Sequence, residues 1–115
     1  MKITKSSKAG VTFIEVEGTV KLGESAQQFA AALQDVFDDT GDGVVIDFSG
    51  IDYLDSTGIG ELVGYLQKFT KANRRVALFR PHQRLEALLK LTRLDTIFHV
   101  FSERDAAAHF VRGDA

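Results

Sequence analysis

The stretch Val44-Val45-Ile46-Asp47-Phe48-Ser49-Gly50-Ile51-Asp52-Tyr53-Leu54-Asp55-Ser56-Thr57-Gly58-Ile59-Gly60 decides the fold. It opens with a short apolar, β-branched run ending in Asp47 and Phe48. The run has no helical spacing and reads as a central strand buried on both faces. Ser49-Gly50 is expected to turn the chain. Asp55-Ser56-Thr57 then sets three good capping side chains ahead of Ile59, Leu62, Val63, Leu66 and Phe69. These recur at three- and four-residue intervals, with Glu61, Gln67, Lys68 and Lys71 on the other side. A helix therefore starts here and runs to about Lys71. Gly58 and Gly60 each cost roughly 1 kcal/mol against alanine in a helix. The expected compensation is bare backbone that lets another surface, or a phosphate, reach the N–H groups of the first turn.

Upstream of this unit, Ile3-Thr4-Lys5-Ser6 and Val11-Thr12-Phe13-Ile14-Glu15-Val16-Glu17 are β-prone and joined by Ala9-Gly10, which predicts a hairpin. Gly18 closes the second run, and Thr19 to Gly23 form a loop whose apolar members pair briefly or pack beneath the sheet. A first helix follows, capped by Ser25 or Glu24, with Ala26, Phe29, Ala30, Leu33 and Phe37 as its apolar stripe. Downstream, Ala72-Asn73-Arg74 turns the chain into a strand, Arg75 to Phe79, ended by Pro81. Leu85, Leu88, Leu89 and Thr92 share a face of a third helix, with Leu94 and Asp95 in the turn after it. Ile97 to Phe101 is the last strand. Ser102-Glu103-Arg104-Asp105 matches a capping box, and Ala107, Phe110 and Val111 form the apolar face of a closing helix. This alternation of strand and helix demands a largely parallel α/β sheet with right-handed crossovers.

The 115 residues, 44% hydrophobic and 26% charged, suit one soluble globular domain spanning residues 1–115. A net charge of −2 gives no support to nucleic-acid binding. The cations from Lys71 to Arg75 and from Arg80 to Arg84 read as solvated surface. With no cysteine, disulfides and thiolate metal sites are excluded, and His82, His99 and His109 lack ligand spacing, so no metal or cofactor is expected. No signal peptide is read at the N-terminus, and no run approaches the roughly 20 apolar residues of a membrane span. A cytoplasmic location is expected.

Local spacing alone leaves Asp55-Ser56-Thr57 as a simple helix cap. Asp47 and Asp52 read equally well as strand-end and turn residues or as partner contacts. Three enzyme readings fail. Aspartic-protease chemistry needs glycine two residues after the aspartate and a second such loop. A serine hydrolase needs the frame Gly-x-Ser-x-Gly and a histidine base. The protease glycine and second loop are missing, Ser56 lies in no nucleophile-elbow frame, and there is no Walker loop. The chain reads as a non-enzyme.

Gly18, an amphipathic helix, and then Val45 to Gly60 with its Asp-Ser-Thr-Gly-Ile-Gly run resemble the STAS domain family, which includes bacterial anti-sigma factor antagonists (anti-anti-sigma factors) and the cytosolic domains of sulfate transporters. Val76 to Phe79 and Leu88 to Phe98 fit the same pattern, so the resemblance covers nearly the whole chain. It implies an α/β domain with a mixed, mostly parallel sheet of about five strands and about four helices packed mainly on one side. It also implies partner switching. The unphosphorylated protein binds an anti-sigma factor that is an ATP-dependent serine kinase, phosphorylation at the helix start ends the complex, and a phosphatase resets it. Carried over by position, the phosphoacceptor is Ser56, with Thr57 the less favoured neighbour. The partner-binding residues are Asp52, Asp55, Ser56, Thr57, Gly58, Ile59 and Gly60. Many members carry an acidic pair soon after the glycine matching Gly18, where this chain has Thr19-Val20-Lys21, a departure that bears on which kinase it meets. Two other readings stand beside this one: a scaffold subunit of a signalling or lipid-transport assembly, and a small nucleotide- or anion-binding module using the Gly58-Gly60 helix start.

Overall fold

Val44, Val45 and Ile46 are all but sealed from solvent, at 0%, 1% and 1% exposure, because their alternating side chains enter two different cores. In the computed structural model, which describes residues 1–39, 41–81, 83–91, 93 and 99–113 and only the backbone of Arg84, they lie in the third of five strands. The elements are β1 (Lys2–Lys8), β2 (Val11–Val20), α1 (Glu24–Asp39), β3 (Gly43–Leu54), α2 (Ser56–Lys71), β4 (Val76–Phe79), α3 (Gln83–Leu91), β5 (His99–Phe101) and α4 (Arg104–Arg112). The sheet order is β1-β2-β3-β4-β5. β1 and β2 pair antiparallel, and the other neighbours pair parallel. This is the expected mixed, mostly parallel α/β architecture. Thr92, the turn at Leu94 and Asp95, the Ile97-Phe98 start of the last strand, and His82 lie outside the described residues.

Ile14, Val16, Val44, Ile46, Val76 and Leu78 share one core with Phe29 and Leu33 of α1, Leu62, Leu66 and Phe69 of α2, and Leu85 and Leu89 of α3. The opposite face carries Val11, Phe13, Val45, Ala77 and Phe79, covered by Ala107, Ala108 and Val111 of α4. Three helices thus lie on one side and α4 alone lies on the other. The exposed edge strand β1 presents Lys2, Lys5 and Lys8, charges that discourage a second sheet from pairing there.

Several local expectations are corrected. Ser49-Gly50 does not turn the chain. β3 continues to Leu54 through two irregularities, where Val16 alone faces Phe48 and Ser49, and where Asp52 is extra between the pairs Gly18–Ile51 and Thr19–Tyr53. A bulge leaves a backbone N–H without its ladder partner, and here Asp47 Oδ1 accepts from the Ser49 N–H at 2.9 Å and from its hydroxyl at 2.6 Å. Gly18 does not close β2 either. It takes φ +104°, which side-chain-bearing residues rarely adopt, and lets the strand bend and continue to Val20 opposite Leu54.

The helix faces shift slightly from the sequence reading. On α1 the buried set is Ala26, Phe29, Ala32, Leu33 and Val36, with Ala30 and Phe37 only half-buried, because the helix also leans on α2. Ser25 does not cap α1. Its hydroxyl bonds both backbone groups of Lys21 and closes the preceding loop. At α4 the cap position is Glu103, without a side-chain cap bond, rather than Ser102 in a capping box. The fourth strand starts at Val76, one residue later than expected.

Arg74 is also more than solvated surface. Its guanidinium donates to the carbonyls of Phe37 at 2.8 Å, Val36 at 3.2 Å and Asp42 at 2.8 Å, and stacks on the rings of Phe37 and Phe69. Those carbonyls belong to the last turn of α1 and the loop beyond it, where a cation satisfies acceptors that lack helical partners. Lysine cannot reproduce a planar fork of donors. Arg74→Lys is therefore expected to destabilise the fold by roughly 1–3 kcal/mol, measured by urea denaturation, with an unchanged m-value.

Candidate functional site

The chain leaves β3 at Leu54, and one residue later Asp55 fixes the entrance to α2. Its backbone is extended, with φ −88° and ψ −179°. Its N–H donates to the Val20 carbonyl at 3.1 Å, which continues the pairing of the two strand ends. The carboxylate divides its oxygens between two elements. Oδ1 accepts from the Gly58 N–H at 2.9 Å, and Oδ2 accepts from the Leu22 N–H at 2.8 Å. Of the three capping candidates in the sequence, Asp55 is the one that caps, and it also ties the β2–α1 loop to the start of α2.

Ser56 is therefore the first residue of α2, and it is exposed, while Thr57 is half-buried. Asp52 and Tyr53 are exposed, Ile59 is half-buried against the core, Gly58 is buried and Gly60 is exposed. The expected site residues thus gather at one end of the sheet, although Gly58 presents no surface there. Two neighbours were not singled out from the sequence. Leu22, expected to pair or to pack beneath the sheet, is 76% exposed, and Tyr53 is 43% exposed. A leucine between Lys21 and Gly23 in a glycine-bounded loop was the available signal.

The two first-turn glycines have different reasons. A Cβ at Gly58 would lie 2.7 Å from Leu54 Cδ1, 2.8 Å from Val20 Cγ1 and 3.3 Å from the Val20 carbonyl. Gly58 is bare because α2 begins directly against the two strand ends, and not to admit an outside group. A Cβ at Gly60 would meet nothing within 4 Å. The N–H groups expected to receive a phosphate are also partly engaged, since the Asp55 carboxylate already holds that of Gly58 and interacts with that of Thr57.

The Gly58 N–H, then the Leu22 N–H, hold the Asp55 carboxyl below its ordinary value. Because the folded form binds the proton more weakly, this carboxylate adds stability above the ordinary aspartate pKa, and that stability fades as pH falls through the folded value. Wild-type protein should lose more stability than Asp55→Asn on acidification below about pH 4, read from denaturation midpoints across a pH series. Gly58→Ala should destabilise by about 1–3 kcal/mol through overpacking. Gly60→Ala should be neutral or stabilise by up to about 1 kcal/mol through helix propensity. Paired urea melts distinguish the two.

The arrangement has relatives. Residues 2–107 match the model of the STAS domain. An anti-sigma factor antagonist from Mycobacterium paratuberculosis is 24% identical and superposes with a TM-score of 0.83 over 96% of this chain and 93% of its own. The anti-sigma factor antagonist SpoIIAA in its unphosphorylated form is 16% identical, with a TM-score of 0.76 over 97% of this chain and 99% of its own. The phosphorylated form of SpoIIAA, a Bacillus cell fate determinant, is 15% identical and also gives 0.76, over 95% of this chain and 99% of its own. At these identities the structural likeness speaks for the fold, and the family match spans most of the sequence. This chain belongs to the STAS domain family.

Proposed function

We propose that this protein is an anti-sigma factor antagonist that works by partner switching. Unphosphorylated, it binds an anti-sigma factor serine kinase and frees a sigma factor for transcription. Phosphorylation of Ser56 by that kinase, with ATP, ends the complex, and a phosphatase restores it. The protein is then a cytoplasmic regulator rather than an enzyme, needing neither cofactor nor metal. No described helix is long and apolar enough to cross a membrane.

The observation that carries this reading is the exposure of Ser56 at the head of α2, on a turn fixed by Asp55, with Leu22 and Tyr53 exposed at the same end of the sheet. A hydroxyl that must enter a kinase has to be accessible, which favours Ser56 over half-buried Thr57. Asp52, Asp55, Thr57, Ile59 and Gly60, all within four residues of the acceptor, complete the proposed partner surface, and Gly58 sets how closely α2 meets the strands beneath. That SpoIIAA occurs in unphosphorylated and phosphorylated forms is consistent with a switch on this fold.

Phosphate adds about −1.5 to −2 of charge at pH 7. Next to Asp55, whose carboxylate already accepts two backbone bonds, the new dianion stays at the surface facing the partner. A hundredfold loss of affinity takes about 2.7 kcal/mol, within reach of like-charge repulsion and a few broken contacts at a partly desolvated interface. The fold need not change.

Incubation with the cognate kinase and ATP should give one phosphate per chain by intact-mass spectrometry, with Thr57→Ala still modified and Ser56→Ala unmodified but folded. Ser56→Asp should bind the kinase about 100-fold more weakly in calorimetry. Phosphate entering Ser56→Ala at the wild-type rate would remove Ser56 from this role.

A further inference from the structure

The face of the sheet opposite α2 holds a second recess at the other end of the strands. α4 rests on β2, β3, β4 and β5, and between it and β1 lies a cavity of about 420 Å³. The antiparallel register sets Lys8 opposite Val11 and Ser6 opposite Phe13. Directly opposed residues share a face, so Ser6 and Lys8 stand on the side that α4 covers. α4 supplies the other wall with Arg104, Ala108 and Arg112, spaced four apart on one stripe, and with Asp105 and His109 beside them.

The lining has a definite chemistry. Lys8, Arg104 and Arg112 bring three cations from two distant segments around a concave floor that includes Phe13 and Ala108. Arg104 is held in place, with its guanidinium 4.4 Å from the Phe13 ring centroid and its Nη1 3.2 Å from Glu15 Oε1. A guanidinium has five donors, and the bond to Glu15 leaves part of that fork directed elsewhere. The hydroxyl of Ser6 adds a neutral donor, whereas Ser7 alternates to the other face, where its hydroxyl pairs with that of Thr12. Among the described residues, Asp105 is the single carboxylate in the lining, and it repels an anion placed beside it while accepting from a ligand hydroxyl. The volume falls within the range of small-molecule sites.

We propose that this recess binds a small phosphate monoester carried on a polyhydroxylated body, the chemistry of a sugar phosphate. The phosphate sits among Lys8, Arg104, Arg112 and the Ser6 hydroxyl, Asp105 accepts from a hydroxyl of the body, and Phe13 with Ala108 gives apolar contact. The recess shares no lining residue with the Ser56 site, so it stands or falls independently of the switching proposal. A free sugar phosphate and an inositol-phosphate lipid headgroup both carry this chemistry.

The test is amide NMR of the full chain titrated with ribose 5-phosphate, with inorganic phosphate and ribose as separate probes, and co-sedimentation with phosphatidylcholine vesicles containing phosphatidylinositol 4-phosphate. Saturable shifts at Ser6–Lys8 and Arg104–Arg112, with a Kd near 1 mM or tighter, assign a free ester as the source. Co-sedimentation lost in Lys8→Glu assigns the headgroup. Lys8→Glu and Arg112→Glu should each weaken binding by about tenfold or more, with unchanged amide signals away from the recess reporting an intact fold. Ser56→Ala should bind as the wild type does. The proposal is overturned by no saturable response up to about 10 mM in either arm, by inorganic phosphate binding as tightly as the ester, or by unaltered binding in both charge-reversal variants.

Discussion

Val44, Val45 and Ile46 point alternately to the two faces of β3 and are almost fully enclosed, so the chain must supply apolar cover on both sides of the sheet at once. The crossovers after β2, β3 and β4 place α1, α2 and α3 on one face. Consecutive parallel strands joined with a single handedness leave their helices on the same side. The other face would lie open if the chain ended at β5. α4 closes it with Ala107, Ala108 and Val111, residues small enough for a short helix to sit close to the strands. The position of every other element follows from this two-sided demand.

At the far end of β3 the same economy produces the candidate site. The two irregularities bring Leu54 level with Val20, and Asp55 then bonds across to the Val20 carbonyl, the Leu22 N–H and the Gly58 N–H. One side chain therefore sets the start of α2, the path of the β2–α1 loop and the exposure of Ser56. A hydroxyl on such a fixed turn suits a signal read as charge. In the proposed switch, a phosphate on Ser56 would change what the surface repels without asking the core to rearrange, which would cost far more than a partner interface can supply.

The element order was legible in the sequence because its periods are local. The β-prone run of β2 and the three-and-four spacing of α2 are set by residues within a few positions of one another. Asp55-Ser56-Thr57 marked the helix start correctly within its own window. What the local pattern could not supply was the choice among the three as cap, since the second bond of Asp55 goes to Leu22, 33 residues earlier. Gly58 is similar. Its bareness suggested access for an outside group, whereas the group pressing on it is the chain's own Val20 and Leu54. Arg74 read as surface for the same reason, because the carbonyls it bonds lie 32 to 38 residues away.

By itself the sequence determined the α/β class, the buried central strand and the place where α2 begins, since each rests on spacing between near neighbours and on the chemistry of single residues. Tertiary structure alone decided that β3 runs on through its bulges, that Asp55 joins two elements, that Leu22 and Tyr53 face solvent, and that cations from β1 and α4 line one recess. These depend on strand register and on backbone groups brought together from distant segments, and no local window of sequence contains both partners of such a contact.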